Sequence, residues 1–153
     1  MDEIATESVV RQLLAVLREA FEGPQARWTY FIDNRPDSGV FATLERLSAE
    51  QASRPLGQTT IASHAHHLAF SLAASSAWIR GERPQVDWSE SWRVKTVDAG
   101  EWSVLRERMR REYQELLRAI GSKALASEEA LGGAVGVIAH AAYHLGAIRQ
   151  KAL

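Results

Sequence analysis

The sequence predicts an all-α fold, a four-helix bundle with one additional short helix, as a single domain over residues 1–153. Three observations predict it. Four long stretches carry apolar residues at helical period. Glycine or proline closes most of them. No segment alternates as a strand does, and there is no internal repeat or low-complexity run. Four amphipathic helices bury their stripes most simply against one another. With 46% hydrophobic residues in 153, the chain is long enough for one core and too apolar for disorder.

The first helix is predicted from Thr6 to about Phe21, on Val9, Val10, Leu13, Leu14, Val16 and Leu17, and Gly23-Pro24 ends it. Residues 25–40 mix Trp28, Tyr30 and Phe31 with Asp33, Asn34, Pro36 and Gly39, and read as a long connection. Phe41 to about Ala52 is the short helix, on Leu44 and Leu47, stopped near Pro55 and Gly57. The second long helix spans about Thr60 to Ile79 on a stripe of Ile61, Ala65, Leu68 and Leu72, closed by Gly81 and Pro84. Residues 82–98 place Trp88 and Trp92 in a polar loop. Asp98 caps the third long helix, and Glu101 completes a capping box. That helix runs through Trp102, Leu105, Met109, Tyr113 and Leu116 to about Ile120, with Gly121 as its stop. The fourth runs from about Ser127 to Lys151, where Gly132, Gly133 and Gly136 mark close packing against a neighbour.

Charge and composition exclude several functions. A formal charge of -1 argues against nucleic acid or an anionic membrane as partner. Arg106, Arg108, Arg110 and Arg111 alternate with Glu107 and Glu112, the pattern of a solvated helix face. The absence of cysteine removes disulfides, thiolate metal sites, iron–sulfur clusters and a cysteine nucleophile. Met1-Asp2-Glu3 is acidic and does not open a signal peptide, and no apolar run approaches the ~20 residues of a membrane span. A soluble, cytoplasmic protein is the expectation.

All five histidines fall in two clusters, His64, His66 and His67 in one and His140 and His144 in the other. The last two, at i and i+4, lie about 40° apart on the helical face of Val137, Ala147 and Ile148. Two core imidazoles one turn apart repel if charged and need hydrogen-bond partners if neutral. A metal ion resolves both by accepting their lone pairs. A single core histidine is ordinarily structural, but this pair has a second cluster available to it. The zinc-protease helix shares the spacing and carries a glutamate base after its first histidine. Here that position is Ala141, so the protease reading fails. In the first cluster His64 and His67 lie about 60° and 120° off the apolar stripe, on the same side. Either is a candidate third ligand, and Ser71 follows one turn after His67. His66 points almost oppositely, beside Phe70, and is expected to be exposed or packed in an interface. Tyr143 is expected in the core or an interface, and Arg149 in a surface or dimer salt bridge.

The segment TTIASHAHHLAFSL (residues 59–72), with HAAYHLGAIRQ (residues 140–150), resembles the DinB/YfiT-like superfamily of metalloenzymes. That pattern places a His-Leu pair midway along the second helix and His-x-x-x-His followed by glycine on the last. His67-Leu68 matches the former; His140, His144 and Gly146 match the latter. SWRVKTVDAGEWSVLRERMRREYQELL (residues 91–117) is also similar, so the resemblance extends from about Gly39 onward. It implies a four-helix bundle holding a divalent metal through His67, His140 and His144, with His64 behind them or competing with them. Zinc is the first expectation; nickel, iron or manganese accept the same ligands. It further implies a small-molecule substrate, with the metal activating water or a low-molecular-weight thiol, as a hydrolase or a thiol transferase. The alternative is a non-catalytic, stress-associated bundle that binds metal or ligand. Small residues such as Ala73, Ala74, Ser75 and Ser76 are compatible with a homodimer.

Overall fold

The computed structural model describes residues 5–153, so the reading of Met1-Asp2-Glu3 lies outside the described residues. The fold is all-helical: α1 (Thr6–Glu22), α2 (Val40–Glu45), α3 (Ala49–Ser53), α4 (Ile61–Ile79), a 3₁₀ turn (Trp88–Trp92), α5 (Ala99–Lys123) and α6 (Glu128–Lys151). The only extended pairing among the described residues is an isolated bridge between Leu56 and Thr59.

Helix α4 is the centre of the molecule. Fifteen of its 19 residues are buried, and of the other four only Trp78 is exposed. It packs on α5 and α6, with the 3₁₀ turn and α3 against its N-terminal half, while α1 closes on α5 and α6. A helix apolar or small on every side is the expected solution for such a position. Alanines and serines let the neighbours approach, and Leu68 and Leu72 meet Met109, Leu116 and Leu145 in one continuous core. At the α1 end Tyr113 stacks on Phe21, centroids 4.8 Å apart, and meets Phe41 edge-on.

Caps set most of the helix boundaries. Thr60, Ser48 and Asp98 each form a complete capping box, and Ser127 accepts from Ala130 N–H. The box at Ser48, with Gln51, is why the one short helix expected over 41–52 is two helices, α2 and α3, broken at residues 46–48. Gly121 does not stop α5, which continues to Lys123; a lone glycine lowers helix propensity without forcing a break. Of the three glycines early in α6, only Gly133 meets a neighbour, the Ile79 side chain, while Gly132 and Gly136 face open space.

The connection over residues 25–39 is tied down by a buried carboxylate. Glu19 accepts hydrogen bonds from the backbone N–H groups of Tyr30 and Phe31 at 2.8–2.9 Å, satisfying donors that the chain could not otherwise pair. Two further bonds position the segment before α5. Thr60 donates to the Lys95 carbonyl at 2.8 Å, and Val97 N–H donates to Ser53 Oγ at 2.9 Å. These hold the Trp88–Val97 stretch across the start of α4.

Helix α6 corrects one sequence expectation. By length and composition it could cross a membrane, with mean hydropathy 1.4 over an 18-residue window. Leu131 to Ile148 contains no Asp, Glu, Lys or Arg, and its glycines and histidines disguise how apolar it is. In the fold 39% of that window is buried, on the side packed against α1 and α4.

Candidate metal centre

Two helices and one turn build the site. The capping box at Thr60 fixes the start of α4, setting the rotation at which His64 and His67 face α6. On α6, His140 and His144 share a face one turn apart and point back at α4. The Nε2 atoms of His67 and His140 are 3.1 Å apart, and those of His140 and His144 are 2.9 Å apart. One ligand nitrogen from each of the three lies within 4.8 Å of the other two. Nitrogens bound to one zinc at ~2.0–2.1 Å sit about 3.3 Å from each other in a tetrahedral site. The arrangement is therefore close to the size of a metal site without rearrangement.

The opposite nitrogen of every ring is also held. His67 Nδ1 is 2.8 Å from Ser91 Oγ, His140 Nδ1 is 2.9 Å from Ser71 Oγ, and His144 Nδ1 is 2.9 Å from His64 Nδ1. His64 Nε2 in turn lies 3.1 Å from Thr59 Oγ1. Ser91 settles one tautomer. Its hydroxyl donates to the Trp88 carbonyl at 2.6 Å, and a hydroxyl has one proton to give. Ser91 Oγ must then accept from His67 Nδ1–H, which leaves the Nε2 of neutral His67 as a lone pair aimed at the other two imidazoles. The chain from His144 through His64 to Thr59 permits the same arrangement, with Nδ1–H of His144 donated and its Nε2 lone pair inward. Metal-ligating histidines are ordinarily fixed in this way through the second nitrogen.

Burial keeps the rings neutral. It pushes His67 down to about 4 and His144 to about 3, with the charges of neighbouring histidines adding to both. Burial likewise lowers His140 and His64. Trp92 covers the cluster, stacked on His67 with centroids 4.1 Å apart and planes 18° from parallel. It also presents an edge to His64 at 5.4 Å. His140 is the half-exposed member, so the triad opens to solvent on its side.

Comparison with protein-family models, with curated proteins and with solved structures finds no match to this chain.

The three residues expected to meet do meet. His64, expected behind the ligands or in competition with them, lies behind His144. The serine that fixes His67 was not foreseen: within Trp-Ser-Glu-Ser-Trp nothing marks Ser91 except its place between two tryptophans. The structure corrects one further expectation, narrows a second and meets a third. His66 is not exposed but buried, because the segment around Ser91 folds over its face of α4, and its ring nitrogen Nδ1 is 2.9 Å from the Ser91 carbonyl. Of the core and interface positions expected for Tyr143, its 69% exposure excludes the core: it lies on the outer side of α6 with its ring edge-on to His144. Arg149 forms the surface salt bridge expected of it, with Asp33 of the same chain, closing the 25–39 connection onto α6.

Proposed function

We propose that this protein is a DinB/YfiT-like four-helix bundle that holds a divalent metal, zinc first, through Nε2 of His67, His140 and His144. The observation carrying it is the two-sided ordering of the imidazoles: three Nε2 atoms turned to one point and all three Nδ1 atoms engaged behind. Neutral rings with inward lone pairs are the donor set that zinc, nickel, iron or manganese accepts. When bound, such an ion supplies Lewis acidity and lowers the pKa of water or of a small thiol. The chain's own part is to hold the three rings through Ser91, Ser71 and His64, to exclude water from the Trp92 side, and to admit a small molecule past His140. The reaction class this supports is metal-dependent hydrolysis or thiol transfer to a small substrate.

The groups packed on the triad include two serines, a histidine and a tryptophan, and none is a carboxylate. That favours a second reading, a bundle that binds metal or ligand without turnover, because none of these contacts supplies a carboxylate as general base. Turnover of thiol-dependent test substrates by the metal-loaded protein separates the two; saturable binding with no product leaves the second.

The metal is tested by elemental mass spectrometry after stripping and controlled reloading. About one ion per chain is expected, lost in His144→Ala and kept in His66→Ala, whose ring faces away from the triad. Equal retention in both variants removes the case for these three ligands.

A further inference from the structure

His66 lies on the far side of α4 from the triad and lines a cavity of about 380 Å³ between the residue 93–97 segment and α5. The Ser91 carbonyl can only accept, so His66 donates Nδ1–H to it, at 2.9 Å, and the neutral ring turns a bare Nε2 acceptor elsewhere. Arg93 and Arg108 line the same cavity, and both guanidinium charges act on His66. Arg93 keeps a loose pair with Glu90 at 3.5 Å, while Arg108, half-buried, has no ion pair or hydrogen bond among the described residues. Glu101, the cavity's one carboxylate, is already engaged as the acceptor for Asp98 N–H in the α5 cap. Val97, Val104 and Leu105 supply apolar wall.

We propose that this cavity is a binding site for a small carboxylic acid with an apolar body and one hydrogen-bond donor. The acid's charge meets Arg108, its body lies on Val97, Val104 and Leu105, and its hydroxyl or N–H donates to His66 Nε2. An apolar pocket with a few convergent polar groups is the usual form of such a site, and an arginine without a partner is the natural receptor for a carboxylate. Arg108 also borders a second cavity of similar size, but that one sets two carboxylates, Asp87 and Glu90, against the one arginine, whereas here two arginines outnumber the single Glu101. The site shares no residue with the triad and stands or falls without the metal.

The test is calorimetric titration of the metal-free full chain with 4-hydroxyphenylacetate, beside 4-hydroxyphenylacetamide, which lacks the charge, and phenylacetate, which lacks the donor. The acid is expected to bind with Kd of about 0.1–1 mM, at least tenfold tighter than the amide, and phenylacetate several-fold weaker than the acid. Arg108→Gln is expected to remove the preference for acid over amide. Val104→Trp, at a position 65% exposed on the cavity mouth, is expected to abolish binding with the thermal unfolding midpoint unchanged. The proposal is overturned if acid and amide bind equally, if both variants titrate like the parent, if nothing binds at ~10 mM, or if the acid binds only after zinc is added.

Discussion

Ser91 shows how one fully buried hydroxyl can fix which nitrogen of a neighbouring ring carries the proton. Its single hydrogen is committed to the Trp88 carbonyl, so His67 has to donate from Nδ1 and face the triad with a lone pair. Removing the acceptor frees the ring to take the other tautomer or to rotate. Ser91→Ala is therefore expected to weaken metal binding by about 10–100-fold, read by competition against a chromophoric chelator, with Ser91→Thr recovering most of it. Unchanged affinity in Ser91→Ala would show that the ring is held by Trp92 stacking alone. The backbone carbonyl that receives His66 survives both substitutions, so the cavity on the other side of α4 keeps its acceptor.

At the level of elements, the sequence marked the long helices well because caps and apolar period act locally. Asp98 with Glu101 is legible as a capping box without any tertiary information, and the structure forms it. Glycine is harder, since its meaning depends on what stands opposite. A Cβ on Gly39 would lie 2.6 Å from Gly23 N and 2.7 Å from Phe21 O, both backbone atoms that cannot move aside. Gly39→Ala should push α2 off α1 and lower stability by about 2–4 kcal/mol. Gly136 meets nothing, so Gly136→Ala should raise stability by about 0.5–1 kcal/mol through helix propensity alone. Urea unfolding of the two variants checks both signs, and the same sign for both would contradict these placements.

For the whole molecule, the buried histidines couple folding to pH. His67 and His144 are depressed to about 4 and about 3, whereas in the unfolded chain they titrate near ~6.5. Between these values the unfolded chain binds protons that the folded chain refuses, so stability rises with pH across this window. The contribution is complete above ~6.5 and is lost as pH falls toward about 4 and then 3. Metal-free protein is expected to unfold at lower urea at pH 5 than at pH 7, with a smaller difference in His144→Ala. An equal midpoint at the two pH values would mean that the rings are not held neutral by burial. Bound metal should extend the same dependence, because protons compete for its nitrogens.

By itself the sequence determined the helical class, the Asp98–Glu101 cap, and the pairing of His140 with His144, because each depends on residues within one or two turns. It also narrowed the third ligand to His64 or His67, and resemblance, not geometry, selected between them. Tertiary structure decided the rest. Only the cover that the Trp88–Val97 stretch lays on α4 explains why His66 is inside, since a stripe argument leaves that side of the helix outward. Only the 3₁₀ turn folded over α4 brings Ser91 against both His66 and His67, two neighbours in sequence about 100° apart around the helix, one held by its carbonyl and the other by its hydroxyl. Proton positions at the triad follow from those long-range contacts, because a tautomer is fixed by the partner across the space and not by the residue that carries it.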